Sequence, residues 1–442
     1  MAGLTRAQEA AIDQLIAASP DVLLSRLESV LARTDGERVR VVRARIAEEA
    51  ADRRVRTAVY GPAAALAGRG GDVTGPRFPT VLFAAAWRAA IKREPHLAKQ
   101  AARYDAPPAV LDRMVLTLTG ILRDEADGIV PGLDPQTSME LARFLDFVPL
   151  TRPIAERLPG WVQRMDEDDG ARLRLCVNDA TAIGPDGALR VLEMLAANLA
   201  EPAMALRLVG HASLAGGSEH LLAGSDLAVF GERVIATIQG ATERFEALHV
   251  SAVVRADMDI VARDLDRCAV LITELSTSIE MCEHGQWSRR LHDLNRRLNR
   301  KLSEMYAACE KAVDKVAPLE RTKMAGRMTR LAPSLEWPAD PVAIERALAL
   351  AALLGLTRTS AAAFGCSSLR QKTIEALGAR LTPYVDEALA MLNDDEAVDP
   401  PNARRLIALA IDLLQQAGET NTAGALRRRL SLVRATPSQA VG

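Results

Sequence analysis

The residue types that most often carry chemistry are histidine, cysteine and clustered carboxylates. The six histidines are His96, His211, His220, His249, His284 and His292. None has the i, i+4 spacing by which H-E-x-x-H puts two imidazoles on one helix face for zinc. Cys282 and His284 stand two apart, so on a helix they point to different faces; only an unwound turn at Gly285 would let them share a metal. Cys176, Cys268, Cys282, Cys309 and Cys366 form no C-x-x-C pair. They read as small buried hydrophobes in a reducing compartment, without a disulfide framework. Asp166 to Asp169 is a carboxylate cluster of the kind that can hold a hard cation. It lacks the alternating ligands and glycine of a calcium loop, and reads as a solvated linker or the acidic start of a helix.

Gly68 to Pro79 is rich in glycine, which invites a phosphate cradle. No strand precedes it, no Gly-Lys-Ser/Thr follows, and Pro76 and Pro79 remove backbone donors, so it reads as a flexible connector. No nucleophile elbow, P-loop or dinucleotide fingerprint is present. The sequence therefore assigns no catalytic, cofactor-binding or metal-ligating residue, and it favours a protein that is not an enzyme. An enzyme with a dispersed helical site is the alternative left open.

Binding chemistry is more visible. Arg289, Arg290, Arg296, Arg297, Arg300 and Lys301 lie within one short interval, opposed there only by Asp293. At 100° per residue Arg289, Arg296 and Arg300 fall nearly opposite a leucine stripe, while Arg290, Arg297 and Lys301 flank it. The three outward arginines are the candidate partner-binding residues. Their stripe suits an acidic protein surface first and a phosphate backbone second. Nucleic acid ranks lower because no aromatics interleave to stack on bases. Lipid ranks lower because no apolar face is left to insert.

These arginines must be positioned by a long helix. No proline lies between Pro202 and Pro318, and no glycine between Gly240 and Gly285. Val254, Met258, Val261, Leu265, Cys268, Ile272, Leu275, Ile279 and Cys282 alternate in steps of four and three, an a/d seam. Trp287, Leu291, Leu294, Leu298, Leu302, Met305, Cys309, Ala312 and Val316 repeat the pattern. Folded about Gly285, the stripes match: Leu298 faces Ile272, Met305 faces Leu265 and Val316 faces Val254. The expected element is an antiparallel, coiled-coil-like hairpin with arms of roughly 40 Å. Arg290 then comes level with Glu280, and Arg297 with Glu274. A seam of this length also allows a homo-oligomer.

Composition sets the frame. Aromatics are 3 %, while alanine, leucine and arginine dominate, which favours helix over strand. Net charge is −2, so no global field draws the chain to nucleic acid or to an anionic membrane. Met1 to Ser19 lacks the pattern of a signal peptide, and no run approaches eighteen apolar residues, so a cytoplasmic protein without membrane insertion is expected. Thr5 and Gln8 have capping-box spacing, and Ser19-Pro20 opens a second helix with the stripe Leu23, Leu27, Val30 and Leu31. An arginine-rich helix follows from Glu37, and Leu111, Val115, Leu118 and Leu122 mark another. Pro149, Pro153 and Pro159 forbid a long element. Pro318 to Pro341 reads as a basic, proline-bearing linker with Arg321, Lys323, Arg327 and Arg330. Helices are expected beyond it, with separate ones at 369–377 and 383–392. Arg346 to Ala351 resembles Arg405 to Ala410, each ahead of a glycine, Gly355 or Gly418.

The expected class is all-α and multi-helical, with the long hairpin flanked by helix-pair regions. The expected division is an N-terminal helical region 1–160, a short helical region 161–225, the hairpin 226–317, the linker 318–341, a helix-pair region 342–436 and a tail 437–442. Such surfaces suit a scaffold or regulatory adaptor that binds one or more proteins. The alternative is a nucleic-acid-associated factor that uses the arginine stripe.

Overall fold

A computed structural model describes residues 5–68, 73–213, 218–323, 329–336, 340–394 and 397–433. Arg327, Pro338 and the tail 437–442 lie outside the described residues, as do residues 69–72 of the glycine-rich loop. The protein is all-α, and the chain divides into two compact units, 1–216 and 217–442.

The first unit opens with α1 (Arg6–Ala18), α2 (Asp21–Leu31) and α3 (Glu37–Tyr60). Thr5 and Gln8 make the expected capping box. Ser19 does not cap α2; its hydroxyl donates to the Leu15 carbonyl, and Pro20 takes the cap position. Ile16, Leu24 and Ile46 form a small core, with Ile12, Leu31 and Val42 packed against it. The expected α2 stripe therefore splits. Leu24 and Leu31, seven apart, face the core, while Leu23, Leu27 and Val30 remain 46 %, 39 % and 63 % exposed.

The glycine-rich loop is not a connector over its described residues. Val73, Thr74 and Phe78 are buried. The Phe78 N–H donates to the Leu66 carbonyl, and the Gly68 N–H to the Phe78 carbonyl. The unit continues with α4 (Thr80–Arg93), α5 (Pro95–Ala101), α6 (Pro108–Asp124) and α7 (Pro135–Leu145). Val115, Leu118 and Leu122 of α6 are buried, as their spacing requires. Then come α8 (Val148–Ala155), α9 (Leu158–Trp161), α10 (Glu167–Ile183), α11 (Gly187–Ala197) and α12 (Ala205–Ala212). Helices α8 and α9 are short, with Pro149 and Pro159 in their first turns and Pro153 inside α8. Asp166 caps α10 through the Asp169 amide at 2.8 Å, so the acidic cluster is a helix start.

The second unit holds α13 (Glu219–Ala223), α14 (Ala228–Glu246), α15 (Arg255–Ser278) and α16 (Gln286–Val316). After α16 the expected linker contains an antiparallel ribbon, β1 (Leu319–Lys323) and β2 (Thr329–Pro333), in the register Leu319 to Pro333. Then follow α17 (Pro341–Leu356), α18 (Arg358–Ala363), α19 (Ser367–Asn393), α20 (Pro400–Ala417) and α21 (Thr420–Leu432). Pro383 does not open a helix; it sits inside α19. Its missing N–H costs one backbone bond, and burial of Leu381, Tyr384, Val385 and Ala388 holds the helix together.

The direct pairing expected of α15 and α16 is not what forms. Each of the two packs along both α14 and α17, so they occupy opposite corners of a four-helix arrangement. The physical reason is the width of the buried face. Beyond its seam α16 buries Lys301, Tyr306 and Val313, a face broad enough for two partner helices. An a/d stripe alone would suit one. The seam of α15 also ends at Ser278, which leaves Ile279 and Cys282 in the turn. The fourth corner, α17, is buried almost all round, at Ala347 and from Ala349 to Leu354. The two resembling segments meet, since α17 packs on α20, and a Cβ at Gly355 would stand 2.1 Å from the Gln416 carbonyl.

Candidate functional site

The site is built on α16. Its apolar side, from Trp287 through Leu291, Leu294, Leu298 and Leu302, is buried, which turns the intervening arginines outward. Side chains of Arg296 and Arg300 are each 75 % exposed. Arg289 is exposed and hydrogen-bonds only the Gly285 carbonyl of its own helix, at 3.4 Å. Arg296 meets Asp293 at 2.8 Å, and Arg300 meets Glu246 at 3.1 Å. The three expected binding residues thus lie on one helix face. Arg300 also has a partner on α14, which the sequence reading misses.

The flanking arginines pair with α14 and not with α15. Arg290 reaches Glu232 at 2.6 Å, and Arg297 reaches Glu246 at 2.6 Å. The levels expected with Glu280 and Glu274 required a direct hairpin. The signal for α14 was available: Phe230, Val234, Ile238, Ala241 and Phe245 recur at helical spacing, and all are buried. The hydrogen bond from Arg297, helped by Arg300, holds the Glu246 carboxyl below its ordinary value. Burial pushes the Glu232 carboxyl up, but hydrogen bonds from Arg290 and Trp287 outweigh it, and the carboxyl ends low.

Both folded carboxyls titrate below their unfolded value near 4.3. Their contribution to stability is therefore complete at neutral pH and disappears as pH falls from about 5 through the depressed folded values. Arg297→Ala is expected to lower the urea midpoint at pH 7 and to change it much less at pH 3. An equal loss at both pH values would show that Arg297 acts through packing and not through charge.

The C-terminal turn of α14 joins the arginine face to a groove against α15. Ala241, Phe245 and Leu248 line one wall, and Val261 and the 55 % exposed Ile260 the other. Its volume is about 180 Å³, and Arg244 and Asp264 meet at its rim at 2.7 Å. The groove can seat one large apolar side chain.

The support beneath the site is Glu219, buried on the short helix α13. Its carboxylate accepts the amide N–H groups of Cys282, Trp287 and Ser288 at 2.9, 2.7 and 3.2 Å. It closes the turn between α15 and α16 and caps the N-terminus of α16, where negative charge is favoured. Trp287 packs on Gly231, where a Cβ would meet the indole at 2.5 Å, and its indole N–H donates to Glu232 at 2.8 Å.

The chemistry of the thiols is muted. Burial pushes Cys176, Cys268 and Cys309 up to about 12, so none is a thiolate at neutral pH. Among the described residues, no group of three or more His, Cys, Asp or Glu is placed to hold a metal ion. No helix among them is long and apolar enough to cross a membrane. Neither a protein-family model, nor a curated protein, nor a solved structure matches this chain.

Proposed function

We propose that this chain is a cytoplasmic scaffold or regulatory adaptor that binds other proteins through the arginine face of α16. The observation that supports it is the row Arg289, Arg296 and Arg300, solvent-facing on a helix whose apolar side is buried and met only by exposed or shared partners. Such exposed pairs contribute about 0–1 kcal/mol, so acidic groups of a partner can replace them at little cost. The α14–α15 groove beside this face supplies a place for an apolar anchor, the usual centre of a protein interface.

The test is the triple change Arg289→Glu, Arg296→Glu and Arg300→Glu, compared with the unchanged chain in affinity capture from the source cell. At least one partner recovered at physiological salt should be lost, because like charges then face each other. Arg289→Glu and Arg296→Glu should each shift stability by less than about 0.5 kcal/mol, while Arg300→Glu, which sets a carboxylate against Glu246, carries most of any fall in the thermal midpoint. An unaltered partner list overturns the reading. Partners that vanish on nuclease treatment of the lysate would favour nucleic-acid association instead, whose affinity falls steeply with salt.

A further inference from the structure

In the first unit α8 and α10 pack side by side and form a cleft of about 320 Å³. Leu150, Pro153, Ile154 and Arg157, from α8 and the turn after it, line one wall at steps of three, one and three. Arg172, Leu175, Cys176 and Asp179, from α10, line the other at the same steps. This spacing puts one continuous face of each helix against the cleft. Trp161 of α9 completes the lining.

The helices run antiparallel. The Cys176 thiol donates to the Leu150 carbonyl at 3.7 Å, while Arg157 acts on Asp169, one turn before Arg172. Arg157 and Arg172 therefore share one end of the cleft, and Asp179 stands at the other. From Arg172 to Asp179 is about 10 Å at 1.5 Å per residue. Among the described residues, neither Arg157 nor Arg172 is held in an ion pair or hydrogen bond. Between the two ends the walls are apolar, from Leu150, Ile154 and Leu175.

We propose that this cleft binds a medium-chain monocarboxylate, its head group at Arg157 and Arg172 and its tail along Leu150, Ile154 and Leu175. The volume lies at the small end of the range for small-molecule sites. Two guanidinium groups with free donors are the natural partners of a carboxylate. Asp179 fixes the direction, because a carboxylate at its end would meet a like charge. The Cys176 thiol, pushed up to about 12 by burial, leaves the cleft a place of binding and not of reaction. This site is independent of the α16 face in the other unit.

The test is isothermal titration of the full chain with decanoate, 1-decanol and decanedioate. Decanoate is expected to bind saturably and at least tenfold more tightly than either of the others. Arg157→Gln with Arg172→Gln should remove that preference for decanoate over decanol, with the circular dichroism spectrum unchanged. Asp179→Asn should raise the affinity for decanedioate and leave that for decanoate alone. No saturable decanoate binding, or equal binding of acid and alcohol, overturns the proposal. Retention of the preference in the double variant overturns it as well. Decanedioate binding as tightly as decanoate to the unchanged chain overturns the assigned direction.

Discussion

Glu219→Ala is expected to destabilise the second unit by about 3–5 kcal/mol, because three amide donors lose one shared acceptor and a buried donor left unmade costs about 1–3 kcal/mol. The carboxylate's own desolvation cost disappears with it, which keeps the net loss below the sum of the three. The loss has a structural consequence as well as an energetic one. The turn from Ile279 to Gly285 is tied to α13 by the Glu219 carboxylate and by the Glu219 N–H on the Glu280 carbonyl. A Cβ at Gly285 would stand about 2.0 Å from that carboxylate, so the turn and the acid fill each other's space. Without the acid, the first turn of α16 frays, and Trp287 loses its seat on Gly231. Glu219→Gln keeps the volume but turns an NH2 group toward one of the donors, and should fall between the two. Urea unfolding followed by tryptophan fluorescence measures both variants. A loss below about 1 kcal/mol for Glu219→Ala would mean that water replaces the carboxylate, and that the turn is held by something else.

The helices were legible wherever apolar residues keep a single 3.6-residue stripe. Val115, Leu118 and Leu122 of α6 and Leu291, Leu294 and Leu298 of α16 are buried as their spacing requires. The partner of each stripe was not legible, because periodicity tells which face is buried and not how many neighbours cover it. Tyr306 and Val313 lie off the a/d seam of α16, and they mark the second neighbour. In α2 the five positions Leu23, Leu24, Leu27, Val30 and Leu31 contain two overlapping stripes, and only tertiary packing selects Leu24 and Leu31. The ribbon of β1 and β2 escaped because Leu-Glu-Arg-Thr-Lys and Thr-Arg-Leu-Ala-Pro carry few β-branched or aromatic residues.

The candidate site was legible in part. The outward direction of Arg289, Arg296 and Arg300 follows from the helix period alone, and the exposure of Arg296 and Arg300 agrees with it. The identity of their neighbours does not follow, because Glu232 and Glu246 sit on α14, more than forty residues away in sequence. Glu219 carries no local signal at all. Its role depends on a bridge between Ser218 and Glu280, a contact that no periodicity encodes. The cleft between α8 and α10 had matching spacing on both sides, but Pro149 and Pro153 hid α8 as a helix.

Leu298→Ala is expected to cost about 2–5 kcal/mol, the range for a leucine removed from a fully packed site. The magnitude alone does not separate a direct hairpin from the four-corner arrangement, since both bury Leu298. The double change with Ile272→Ala does. In a hairpin the two side chains would touch, and their effects would couple by about 0.5–3 kcal/mol. With α15 and α16 at opposite corners the two side chains are expected to lie apart, so the effects should add within about 0.5 kcal/mol. Ile272 is only partly buried, which also predicts that its own truncation costs less than that of Leu298. Unfolding of the unchanged chain, the two single variants and the double variant in urea measures all four corners of the cycle. A coupling above about 1 kcal/mol would place α15 directly on α16. It would also return Arg290 and Arg297 to the acidic residues of α15, and so redraw the charge pattern around the α16 arginine face.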